Sequence, residues 1–257
     1  MPERPLDPHP RAVAGPLDAD LPDGAVLALW VDAWVRGHAA TDDLLEAVGR
    51  SAAAHHVVPV DGGPAEPLAL ALGTLRRGCT GAGLALPVAG DPAGMAGPRA
   101  LNDAALEAEE AVHLLGTGTA LVPCRAGAGV VWSTYAATHP RPVPTLPDAS
   151  RGLRLALVGA AQALATLDVA RWRPEVADEL ISLRRPRPAA AVPGMSAEAA
   201  TALAQATTCR RIVALALEDD GAAVSIEEVR ARTDALRPLD HAARHALVAA
   251  CSADAQR

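Results

Sequence analysis

Lysine and phenylalanine are absent from this sequence, and aromatic residues make up only 2% of its 257 residues. All 23 basic residues are arginines. Without lysine the chain has no Walker A phosphate-binding loop, no Schiff-base chemistry and no lysine general base. The abundance of alanine, arginine, glycine and proline is typical of a very GC-rich genome.

Positive charge and long apolar runs are also scarce. The formal net charge of -7 argues against a nucleic-acid-binding protein, because phosphate contacts require a cationic surface. The N-terminus carries no apolar signal-peptide core, and no window reaches the 18 or so apolar residues that a membrane span needs. We therefore expect a soluble, cytoplasmic protein that binds neither nucleic acid nor membrane.

The four cysteines are scattered and form no C-x-x-C pair. Zinc sites show paired ligand spacing, and disulfide frameworks are typical of short secreted chains. The sequence therefore predicts reduced, buried thiols, including Cys124, and it predicts no metal and no cofactor.

Hydrophobic periodicity divides the chain into three parts. Residues 1–22 are proline-rich and predict a flexible tail, 23–145 an α+β domain, and 146–257 a helical region packed on that domain. Strands at 111–115, 120–124 and 130–135 are separated by short turns, which predict a mostly antiparallel sheet. Pro123 places its strand at an edge or bulge, and Pro238 precedes the last predicted helix.

A glycine-rich loop at residues 88–98 is the first candidate ligand site. Gly90, Gly94 and Gly97 would let the backbone approach a ligand, and Asp91 adds a charged group. The loop matches neither a dinucleotide-binding fingerprint nor a P-loop. The alternative is a set of structural turns.

The second candidate ligand site is Arg171-Trp172-Arg173. An indole flanked by two guanidinium groups can hold an anion or an aromatic ring through cation–π contacts and bidentate hydrogen bonds. The alternative is a tryptophan that anchors the turn between two helices.

Several other polar residues are candidates for a catalytic or metal-binding role. His241 and His245 lie one helical turn apart, as metal-binding pairs do, but they form no H-E-x-x-H motif, and the apolar residues around them predict that both imidazoles face solvent. His113 is expected in the core or at a sheet edge, and the acidic cluster at 107–110 fits a solvated helix end. No serine lies in a nucleophile motif. The sequence predicts no catalytic residue.

Residues 84–183 resemble a family of uncharacterised proteins from high-GC bacteria. The resemblance rests on 84–98, Leu101-Asn-Asp103, 109–112, 120–123, 130–132 and 167–175. It implies that these segments belong to one folded unit, and it carries no activity, substrate or cofactor.

The sequence favours a non-enzymatic interaction or regulatory protein, with a protein partner or a second copy of the chain bound on one face. The alternative is a binding protein or enzyme for an anionic small molecule, built from the 88–98 loop and residues 171–173. The two classes differ in one geometric expectation, namely whether these segments meet in a single cleft that contains His113 or Glu110. Whether the protein is an enzyme stays open.

Overall fold

The structure, a computed structural model, describes residues 21–166, 192–218 and 226–252. Within these ranges the chain forms seven helices and six strands. The helices are α1 (Asp23–Val35), α2 (Thr41–Gly49), α3 (Leu68–Leu75), α4 (Arg99–Ala108), α5 (Leu146–Thr166), α6 (Ala197–Glu218) and α7 (Ile226–Cys251). The strands are β1 (Ala54–Val58), β2 (Glu66–Pro67), β3 (Gly81–Ala85), β4 (Ala111–Leu115), β5 (Thr119–Ala126) and β6 (Gly129–Ala136).

The six strands form one mixed sheet in the order β2-β1-β6-β5-β4-β3. Strands β1 and β6 run parallel, and the other neighbouring pairs run antiparallel. The α+β class is confirmed, and the mostly antiparallel sheet is confirmed in part. The parallel pairing of β1 with β6 was not predicted from the sequence. Short turns indicate only how strands that follow each other along the chain pair.

Pro123 lies in β5, which sits between β4 and β6, so its expected place in an edge strand is wrong. The ladder between β4 and β5 pairs residues 119–121 of β5 and stops before Pro123. Pro123 therefore lies beyond that ladder, where its missing amide costs no hydrogen bond to β4. Its other side faces Trp132 of β6.

Helix α1 and one side of the sheet form the centre of the main core. Trp30 and Trp34 lie one helical turn apart, a spacing that predicts a shared core-facing side of α1, and both are buried; Trp132 of β6 is fully buried. The indole nitrogen of Trp132 donates a hydrogen bond to Nδ1 of His55 (3.1 Å), so its polar atom is satisfied inside the core.

Helix α7 packs against α5 and α6 and also contacts α1 and β3. It begins at Ile226 and continues through Pro238, so the expectation that the last helix starts after this proline is wrong. Leu236 and Leu239 flank the proline and are both buried. Packing of this face keeps the helix continuous despite the hydrogen bond lost at the proline.

The cysteines differ in exposure. Cys209 and Cys251 are buried, Cys79 is half-buried and Cys124 is exposed, so the expected burial of Cys124 is wrong. All four lie in the described ranges, and none is in a disulfide. No helix of the described ranges is both long enough and apolar enough to cross a membrane.

Candidate functional site

The start of the glycine-rich loop is a tight turn that carries Asp91. Val88 and Asp91 exchange two backbone hydrogen bonds (2.9 and 3.0 Å), and Gly90 between them has a φ of 84°. The Asp91 side chain accepts a hydrogen bond from the amide of Ala93 (3.2 Å). Glycine is needed at position 90 because the left-handed conformation is costly for other residues. The turn thereby fixes the Asp91 carboxylate.

Asp91 contacts three side chains of α7. Oδ2 lies 2.8 Å from Nδ1 of His241 and 2.9 Å from Nη2 of Arg244. Oδ1 lies 3.0 Å from Nε2 of His245. Burial acts to raise the pKa of Asp91, but the His245 hydrogen bond and charge, the Ala93 amide and Arg244 outweigh it and lower the pKa. Asp91 is therefore held as a carboxylate.

Arg244 occupies the middle of this network, and its side chain is only 7% exposed. Besides contacting Asp91, its Nε donates to Asp240 (3.1 Å) and its Nη1 donates to the carbonyl of Leu86 (3.1 Å). Three acceptors around one buried guanidinium fix its position. Arg244 thus connects α7 to the segment that follows β3.

The sequence pattern predicts that both histidines of α7 face solvent, and for His245 this is wrong. The His245 side chain is 18% exposed and that of His241 is 57% exposed. Their rings lie 4.3 Å apart, centroid to centroid. The spacing showed that the two share a helix face, but the partner of that face, Asp91, is 154 residues from His245.

The other glycines of the loop contact the protein itself. Gly94 has a φ of 91° and packs near the carbonyl of Leu84, and a Cβ at Gly97 would meet the Leu101 side chain. Gly90 faces open space. The prediction that these glycines bind a ligand is not tested by these contacts. Residues 171–173, the second predicted site, lie outside the described residues.

A cleft of about 730 Å³ lies next to the network, between α6, α7 and the junction of α4 with β4. Its polar lining consists of Arg210, Arg211, Arg237, Arg244, Glu109, Glu110, Asp240 and Thr233. Its larger apolar lining residues are Leu21, Leu86, Val88, Val213, Leu217 and Leu236. The cleft therefore combines four arginines with an apolar wall.

Glu110 immediately precedes β4 and accepts a hydrogen bond on Oε2 from the backbone amide of Gly24 (2.6 Å), so its expected place at a solvated helix end is wrong. Burial, together with the nearby charge of Asp23, raises the pKa of Glu110 to about 7. The Asp23 charge is itself matched by Arg125, whose Nη2 lies 2.8 Å away. A carboxyl with this pKa can bind or release a proton near neutral pH.

Arg210 of α6 is half-buried in the cleft wall. Burial lowers its pKa, while the charges of Asp240, Glu110 and Glu109 act in the opposite direction. Among the described residues, none lies in hydrogen-bond or ion-pair contact with its guanidinium. An arginine keeps its charge in proteins, so this cation is available to a ligand in the cleft.

The geometric expectation from the sequence stays a prediction, because residues 171–173 lie outside the described residues. Val88, the first residue of the glycine-rich loop, and Glu110 line the same cleft. His113 lines a separate cavity instead; it is buried, its Nε2 has no hydrogen-bond partner in the described structure, and burial lowers its pKa to about 4. It is therefore a neutral core histidine, as expected.

Two family models match the chain. The Rv1486c-like protein N-terminal domain matches residues 24–148, and the Rv1486c-like protein C-terminal domain matches residues 147–248. The chain belongs to the Rv1486c-like protein family. This confirms the family resemblance seen in the sequence. No curated protein and no solved structure matches the chain.

The raised pKa of Glu110 predicts a pH-dependent stability for this Rv1486c-like protein. Between the ordinary pKa of 4.5 and the folded value of about 7, the folded chain binds more protons than the unfolded chain, so stability falls as pH rises through this window. Glu110→Gln removes the penalty and keeps an acceptor for Gly24. We expect the variant to be more stable than the parent above pH 7, by up to about 3 kcal/mol, and nearly equal at about pH 4.5.

Thermal or urea unfolding of both proteins across this pH range measures the difference. Comparing variant with parent cancels the opposite contribution of His113, whose lowered pKa makes stability rise with pH. Glu107→Gln, at an exposed position of α4, is the matched control and should change little. A stability difference for Glu110→Gln that does not vary with pH would contradict the assignment.

Proposed function

We propose that this protein binds a small organic anion in the cleft, with Arg210 as the charged anchor. The observation that carries the proposal is the half-buried Arg210 guanidinium, which has no direct partner among the described residues. A desolvated cation without a partner is costly, and an anionic group on a ligand would offset that cost. This is the small-molecule alternative that the sequence left open. Its anchor, Arg210, is a residue that the sequence did not single out.

The cleft also indicates the size and character of the ligand. Its volume of about 730 Å³ falls in the usual range for small-molecule sites. The apolar wall formed by Leu86, Val213 and Leu236 suits the body of the molecule, and Arg210 suits a carboxylate or phosphate. We therefore favour an acid with an apolar portion over a small inorganic anion.

The other arginines of the cleft have partners. Arg244 binds Asp91 and Asp240, and Arg237 lies 2.9 Å from Asp234 on the same helix. Their charges contribute to the potential in the cleft, but each already has a carboxylate partner. This difference makes Arg210 the residue whose loss should matter most for ligand affinity.

Glu110 makes the proposed binding sensitive to pH. When Glu110 loses its proton near its pKa of about 7, the cleft gains a negative charge that repels an anionic ligand. Affinity should therefore fall as pH rises through neutrality. A protein of this kind also suits the regulatory role expected from the sequence, because a partner can respond to ligand occupancy.

We place this function in the cytoplasm. The four unpaired cysteines support that setting, because thiols stay reduced in a reducing compartment.

The anchoring role of Arg210 is tested by ligand screening with Arg210→Gln. A thermal-shift screen of the parent with carboxylic acids, sugar phosphates and nucleotides should identify stabilising anions. For such an anion we expect Arg210→Gln to weaken the affinity roughly 10- to 100-fold, the usual worth of a charged hydrogen bond. Arg99→Gln, at an exposed arginine of α4, should leave the affinity unchanged.

The same titrations at about pH 6 and about pH 8 test the part assigned to Glu110. The parent should bind more tightly at the lower pH, and Glu110→Gln should lose this dependence. The proposal fails if no anion stabilises the parent, or if Arg210→Gln binds the selected anion as well as Arg99→Gln does.

A second candidate function is association with a protein partner, and exposed apolar residues on α5 favour it. Leu155 and Val158 are 68% and 56% exposed and lie three residues apart, on one side of the helix. Apolar surface on a helix is often covered by a partner. A second copy of the chain is the partner we propose, in keeping with the interaction protein that the sequence favours.

Light scattering after size-exclusion chromatography tests this self-association. We expect the parent to run as a dimer and the double variant Leu155→Ser, Val158→Ser to run as a monomer, because the apolar contact is lost. Leu70→Ser, at an equally exposed leucine of α3, is the control and should leave the dimer intact. A monomeric parent at all protein concentrations would exclude the second candidate.

A further inference from the structure

The contacts of Asp91 with α7 bring three potential metal ligands together. The ligand atoms of Asp91, His241 and His245 all lie within 4.8 Å of one another. The two imidazoles come from one face of α7, at positions i and i+4, and the carboxylate comes from the turn at 88–91. Helical His-x-x-x-His pairs place two ring nitrogens on the same side, as a shared ion requires.

We propose that Asp91, His241 and His245 form a binding site for a divalent transition-metal ion of the Zn²⁺ type. Two imidazole nitrogens and one carboxylate oxygen are ligands that Zn²⁺ prefers, whereas Mg²⁺ and Ca²⁺ prefer oxygen alone. Three protein ligands leave the fourth tetrahedral position open for water or another small ligand. The site is separate from the anion site proposed for the cleft and does not depend on it.

The distances between the ligand atoms suit a tetrahedral ion. Ligands 2.0–2.1 Å from Zn²⁺ in tetrahedral geometry lie about 3.3 Å apart. The contacts of Asp91 with His241 and His245 measure 2.8 and 3.0 Å. These contacts go to different oxygens of Asp91, and the three ligand atoms lie within 4.8 Å of one another, so side-chain rotations would bring them to the spacing that the ion requires.

The residues around the three ligand atoms supply negative charge and a hydrogen bond that holds the carboxylate. Asp91 contributes a negative charge for a bound cation, and the positive charge of Arg244 beside it is shared with Asp240. A ligating carboxylate is usually held by a further hydrogen bond, and Arg244 donates one to Asp91. The exposed side of His241 gives an ion access from solvent.

One feature limits the affinity. Nδ1 of His245 is buried, and no described group forms a hydrogen bond with it. A metal on Nε2 moves the ring proton to Nδ1, where the usual hydrogen bond to a carbonyl or carboxylate is missing. Because such outer partners change metal affinity roughly 10- to 100-fold, we expect micromolar rather than nanomolar binding.

Calorimetric titration of the metal-free full-length protein with Zn²⁺ tests the site, and Co²⁺ absorption in the visible range reports the coordination geometry. We expect a single Zn²⁺ per chain and the intense bands of tetrahedral Co²⁺. His241→Gln and His245→Gln should each weaken Zn²⁺ binding by roughly tenfold or more and abolish those bands. His241 is largely exposed, so its variant should fold like the parent, as circular dichroism can verify.

Two controls separate this site from surface binding. His139→Gln changes an exposed histidine outside the cluster, and Cys124→Ser removes the exposed thiol; both should bind Zn²⁺ like the parent. The proposal is overturned if the parent binds no Zn²⁺, or if His241→Gln binds it as well as His139→Gln. Neither outcome affects anion binding in the cleft, which is measured without metal.

Discussion

The buried guanidinium of Arg244 connects α7, the 88–98 loop and the end of β3, and both candidate ligand sites depend on this connection. It binds Asp91 in the glycine-rich loop, Asp240 on its own helix and the carbonyl of Leu86 after β3. A buried ion pair adds little net stability, but removal of one partner is costly. Arg244 therefore acts mainly by holding α7 and the 88–98 loop in a fixed relative position.

That constraint places two different chemical environments side by side. On the cleft side, Arg244 is one of four arginines, Arg210 supplies a cation with no direct partner among the described residues, and Glu110 supplies the proton-binding carboxyl. At the loop, Asp91 meets two imidazoles. Arg244 contributes to both, since it lines the cleft and holds the carboxylate. A change at Arg244 should disturb both environments together.

Local features of this fold could be predicted from the sequence, and long-range ones could not. Turn residues located β4, β5 and β6, and spacing placed Trp30 and Trp34 in the core. The loop at 88–98 was identified, and Asp91 with it. No sequence pattern indicates that Asp91 binds α7, because periodicity describes one helix and not the loop packed on it. For the same reason the local pattern placed Glu110 at a solvated helix end, since it does not show the distant segments that pack on this residue.

The coupling between Asp91 and Arg244 is the most direct test of this account. A double-mutant cycle with Asp91→Asn, Arg244→Gln and the double variant measures that coupling from unfolding free energies, free of each variant's separate effects. We predict a coupling free energy of about 2 kcal/mol or more, because either single change already breaks the Asp91–Arg244 contact and the second change cannot break it again. Additive effects, with coupling below about 0.5 kcal/mol, would contradict the claim that this pair fixes the loop on α7.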